Sequence, residues 1–145
     1  MFDLMSALRR RLMLIEVQLE NGETGYVARY ADAVFGAIGT RTCTACVLAT
    51  YLRTRDGARV GHAFIDRLPH ADKKAIFATI VTYHAQVHGV AILPRRQLTD
   101  FKATIAAARS EVALEALARQ FVDHHQTLNG AMAISLRAKA SSLVA

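Results

Sequence analysis

The stretch GTRTCTACVLAT, residues 39–50, holds both cysteines of the chain, Cys43 and Cys46, with Thr44 and Ala45 between them. Four kinds of chemistry fit that spacing. The pair can cycle between dithiol and disulfide, supply two ligands to a metal, lie inert as small buried hydrophobes, or contain one activated nucleophile. The element that carries the cysteines decides among them, because it sets which other side chain reaches the sulfur. His62 is the first candidate for that partner.

Two geometries are open. If CTACVLATYL is a strand pairing with ARVGHAFID across Asp56-Gly57, His62 faces Tyr51 and Cys43 lies about 26 Å further along. The two could not cooperate. If the stretch is a helix from Cys43 to about Thr54, it covers about 16 Å. A strand running back from Ala58 to His62 then covers about 13 Å and returns the imidazole beside the sulfur. Thr40 or Thr42 can cap such a helix, and its body is rich in Ala and Leu, so the helix is the better reading. A cysteine in its first turn sits at the positive end of the helix dipole, which favours thiolate. A neighbouring imidazole completes an activated nucleophile, and free backbone N–H groups of that turn can hold an oxyanion.

With this arrangement in view, Gly39-Thr40-Arg41-Thr42-Cys43 followed by Val60-Gly61-His62 resembles the glycine–serine–cysteine stretch and downstream histidine of the CheD-like chemoreceptor glutamine deamidases. It also resembles the catalytic domains of the cytotoxic necrotizing factors. The similarity covers roughly residues 33–93. It implies a cysteine hydrolase that deamidates glutamine side chains of a protein substrate, with Cys43 as nucleophile and His62 as general base. It also implies that no cofactor or metal is required. The threonine that assists in the chemotaxis enzymes aligns with Ala37, and Arg41 replaces a glycine. The group that orients His62 is therefore unassigned.

Other residues compete for attention. A Cys-x-x-Cys redox pair also belongs at a strand-to-helix junction, although no proline starts the helix here. Cys46 reads as a small buried hydrophobe. His84 and His88 stand four apart, without the glutamate of the zinc-protease pattern, and read as surface residues at a helix end, as do His124 and His125. Asp66 shares a face with His62 if both lie on one strand, but about 13 Å apart, too far for a hydrogen bond.

The elements that must position these groups read as α+β. Phe2–Leu12 is a short amphipathic helix or lead-in. LIEVQLENGETGYVARY alternates around Asn21-Gly22 as a β-hairpin, and Ala33–Gly39 reads as a buried strand. After the cysteine helix come a turn at Asp56-Gly57 and the ARVGHAFID strand. A helix from Asp72 to about Val87 and a short VAILP strand follow. A helical region from Thr99 to about Gln126 is broken near Arg109-Ser110, and a turn at Asn129-Gly130 precedes the final strand AMAISLR. The expectation is one layered domain over residues 1–145, with hairpin and buried strands, a Cys-bearing helix on the sheet and further helices toward the C-terminus.

Composition narrows the partners. Of 145 residues, 52% are hydrophobic, and no apolar run reaches the length of a membrane span. The first residues lack the pattern of a secretory signal, and two cysteines without further staples fit a reducing, cytoplasmic setting. Export as an effector by another route leaves no such mark. A net charge of +6 favours an acidic surface on a protein partner. The basic residues are not interleaved with aromatics, which argues against nucleic acid. The main rival to an enzyme is a non-enzymatic interaction module with structural cysteines, followed by a Cys-x-x-Cys redox or zinc-binding protein.

Overall fold

The computed structural model describes residues 13–29, 43–83, 86–87, 90–91 and 95–124. The expected helix at Phe2–Leu12, the strand at Ala33–Gly39, His84, His88, His125, the Asn129-Gly130 turn and the AMAISLR strand lie outside them. The fold is α+β, with a three-stranded antiparallel sheet and a set of helices.

Strands β1 (Leu14–Gln18) and β2 (Thr24–Ala28) form the expected hairpin, in register from Leu14 opposite Ala28 to Gln18 opposite Thr24. Its turn closes where Gly22 N–H donates to the Leu19 carbonyl (3.1 Å) and Leu19 N–H donates to the Glu23 carbonyl (3.0 Å). Gly22 takes φ +85°, and a side chain there would meet nothing within 4 Å. Backbone conformation, rather than crowding, therefore calls for glycine at this position.

Helix α1 (Thr44–Tyr51) carries the cysteine stretch and buries Thr44, Val47, Leu48 and Tyr51, one face at helical spacing. It ends sooner than the sequence suggests. Leu52 turns extended and forms β3 (Leu52–Arg53), antiparallel to β2 with Tyr26 opposite Arg53 and Val27 opposite Leu52. The open edge of β2 claims these residues, because its hydrogen bonds must be met.

The reversal at Asp56-Gly57 forms as expected, with Thr54 N–H donating to the Ala58 carbonyl at 2.8 Å and Gly57 at φ +90°. The strand expected after it does not. A single bridge joins Arg59 to Arg53, and the chain then coils into helix α2 (His62–Asp66). Ile65 is fully buried while Phe64 is half exposed, so the stretch offers the core one apolar side chain. A short helix packed on α1 seats that side chain, and pairing with β3 ends at the single Arg53–Arg59 bridge.

Helix α3 (His70–Tyr83) is the centre of the molecule, in contact with both strands of the hairpin, with α1 and with α4 (Arg95–Ala107). It starts two residues before Asp72, with the Pro69 carbonyl accepting from Asp72 N–H and Lys73 N–H. It stops before Gln86, where β4 (Gln86–Val87) pairs with β5 (Val90–Ala91). The tail of the helix expected to reach Val87 is thus a strand. The predicted break near Arg109-Ser110 is present. Ser110 Oγ accepts from Ala113 N–H at 3.1 Å and opens helix α5, which covers 111–124 of the described chain. Ile76, Phe77, Ile80 and Val81 of α3 meet Phe101, Ile105, Leu114 and Phe121 in one core. Among the described residues, no helix is long and apolar enough to cross a membrane.

Asp72 does not cap its helix. Its buried carboxylate instead accepts the Glu20 N–H at 2.9 Å and fastens the hairpin turn to α3. Replacing Asp72 by Ala leaves that amide unpaired and is expected to cost about 2 kcal/mol, read as a lowered midpoint in urea unfolding.

Candidate functional site

Helix α1 begins in an unusual way. Its N-cap is Cys43, in extended conformation (φ −122°, ψ 165°), and the capping acceptor is sulfur. Cys43 Sγ accepts the Cys46 N–H at 3.3 Å, the bond that Ser, Thr or Asp ordinarily makes at this position. One helical turn brings the Cys46 side chain back over the cap. The two sulfurs stand 2.7 Å apart, in hydrogen-bond contact as free thiols, and both residues are half-buried. A disulfide has a bond length of about 2.05 Å, so small side-chain rotations separate dithiol from disulfide.

The electrostatics do not favour a thiolate. Burial raises the Cys43 thiol above the value of free cysteine, and the hydrogen bond with the Cys46 thiol adds to the rise. The Cys46 backbone N–H works in the opposite direction without winning. The Glu115 carboxylate of α5, held 3.9 Å from Arg119, adds a smaller upward push. Sequence reasoning missed Glu115. Its charge reaches Cys43 through the packing of α5, and nothing in its local sequence signals this.

The expectation that the helix dipole would lower the Cys43 pKa is thus reversed in direction, because desolvation outweighs the amide. The sign fixes a pH dependence. Below the raised pKa Cys43 is a thiol, so iodoacetamide is expected to label it slowly at mildly acid and neutral pH. Labelling should accelerate only as pH rises past the usual cysteine range. Glu115→Gln should shift that acceleration to lower pH. Rates resolved by peptide mass mapping across a pH series check both statements.

His62 opens α2 and is exposed to solvent. No hydrogen bond joins it to Cys43, whose charge interactions are with Cys46 and Glu115. The structure therefore joins Cys43 to Cys46 by a hydrogen bond, and His62 makes none to Cys43, although its helix packs on α1. Asp66 closes α2 and is exposed. His124 lies in α5. Among the described residues, no three His, Cys, Asp or Glu side chains converge as a metal cage would need.

A second group of residues surrounds a cavity of about 310 Å³ beside β2 and β3. Its walls include Arg53, Leu19, Phe64 and Leu68, which the sequence did not single out. Comparison with protein-family models, with curated proteins and with solved structures finds no significant match.

Proposed function

We propose that Cys43 and Cys46 are a thiol–disulfide redox pair that passes two electrons to a disulfide of a partner molecule. The supporting observation is the 2.7 Å approach of the two sulfurs at a helix N-terminus. Cys43, whose sulfur faces the Cys46 amide, attacks one sulfur of the partner disulfide as thiolate, a minor species at neutral pH because its pKa is raised, so the exchange quickens as pH rises. A mixed disulfide forms and the other partner sulfur leaves as thiolate, to be protonated. Cys46 then loses its proton and attacks Cys43 Sγ. The intramolecular disulfide closes and the second partner thiol departs. The pair has lost two electrons and two protons, and the partner has gained them.

A stabilised thiolate makes a disulfide oxidising, because reduction is favoured. Burial disfavours the Cys43 thiolate, so the pair lacks the stabilised thiolate that makes a disulfide strongly oxidising. A purely structural bond is a poor alternative, since closing so short a loop adds only about 2 kcal/mol. Equilibration in dithiothreitol redox buffers, with the oxidised fraction read by mass, tests the proposal. The expected result is one two-electron transition, with an intramolecular Cys43–Cys46 disulfide as its oxidised form. Independent oxidation of the two thiols, without an intramolecular disulfide, would refute it.

A second reading retains Cys43 as the nucleophile of a protein-glutamine deamidase, and the place of its sulfur at the N-cap favours it. That reaction needs His62 as base and has no use for Cys46. Cys46→Ala separates the two functions, because it ends disulfide exchange and leaves release of ammonia from a glutamine-bearing protein intact.

A further inference from the structure

Arg53, the last residue of β3, is only 6% exposed. Guanidinium stays charged in proteins and offers five N–H donors. Yet the hydrogen bond that Arg53 makes goes from Nη1 to the carbonyl of its neighbour Leu52, at 3.0 Å. Among the described residues, no carboxylate is within ion-pair distance of it. Across the antiparallel bridge stands Arg59, a like charge directly opposite. Burial first, and Arg59 second, push the Arg53 pKa down. Buried charge of this kind is costly unless something pairs with it.

Arg53 lines the cavity of about 310 Å³, and so does Arg55. The remaining walls are largely apolar, with Leu19, Phe64 and Leu68 among them. Phe64 is 50% exposed, a large side chain left unpacked at this cavity. Glu23 is also on the wall and disfavours a doubly charged anion. The volume lies at the lower end of the range for small-molecule sites, which combine apolar walls with few orienting polar groups.

We propose that this cavity binds a small amphipathic monocarboxylate, its carboxylate on Arg53 and its apolar body against Leu19, Phe64 and Leu68. The site includes neither Cys43 nor Cys46 and stands independently of the redox reading. A guanidinium fork matches a carboxylate with two parallel hydrogen bonds, and an anion placed there also relieves the repulsion between Arg53 and Arg59.

Octanoate and octan-1-ol are suitable probes, equal in chain length and different in charge. Binding to the full chain, followed by NMR chemical-shift titration, is expected to be at least tenfold tighter for octanoate, with shifts centred on the Arg53 and Phe64 amides. In Arg53→Met the preference for octanoate should vanish. Should that variant not fold, Leu68→Trp keeps Arg53, fills the cavity and should lose octanoate binding. Equal affinity of the wild type for both probes overturns the proposal, as does no octanoate binding. Octanoate binding that persists unchanged in either folded variant also overturns it.

Discussion

Cys43→Ser and Cys46→Ser are each expected to abolish the two-electron transition and to lower the rate of partner-disulfide reduction by on the order of 100-fold or more. The size of the effect comes from the resolving step. In the native pair the second sulfur is held beside the first, 2.7 Å away, so closure of the disulfide is intramolecular and its effective concentration is very high. With one sulfur replaced, a mixed disulfide can form but waits for an external thiol. The two variants also differ in a way that checks the assignment of roles. Cys46→Ser retains the attacking sulfur and is expected to accumulate a mixed disulfide with glutathione, visible as an added mass. Cys43→Ser should accumulate far less, since the sulfur bonded by the helix amide is gone. Equal trapping by both variants would contradict Cys43 as the attacking residue. Thermal melts of each should stay close to wild type, because the cap survives: serine oxygen is a better acceptor than sulfur at position 43.

Phe77→Ala is expected to cost about 3–5 kcal/mol, a large part of the stability of a typical domain. The ring is fully buried at the centre of α3. It meets Phe101 of α4 edge to face at 6.0 Å and Phe121 of α5 at 5.8 Å. Truncation removes the hydrophobic transfer energy, leaves a cavity and ends both ring pairs, each of which adds about 0.5–1.5 kcal/mol beyond burial. Three helices meet on this one side chain, so little neighbouring structure can collapse into the gap. Urea unfolding followed by circular dichroism measures the loss. Phe77→Leu, which preserves most of the volume, should cost much less. A cost below about 1 kcal/mol for the alanine variant would show that α4 and α5 are not anchored through this ring.

Local signals were legible where local physics settles the outcome. Alternation around Asn21-Gly22 specifies a hairpin, because only glycine takes the left-handed turn position easily. The Ala and Leu content of CTACVLATYL favours a helix over a strand, and the break near Arg109-Ser110 marks the start of another. The pairing of Cys43 with Cys46 follows from the start of that helix alone, since an N-cap side chain turns back over the residue three ahead. The rest needed the tertiary structure. Leu52 and Arg53 leave the helix because the edge of β2 has hydrogen bonds to satisfy. His62 opens α2, a short helix that turns Ile65 into the core against α1. The Cys43 pKa rises rather than falls because packing desolvates the sulfur and brings Glu115 within reach across α5. Arg53 becomes a buried cation with Arg59 opposite it and, among the described residues, no carboxylate within ion-pair distance. Which residues stand three apart is a property of the chain. Which charges lose their water is decided by the fold, because desolvation depends on neighbours distant in sequence.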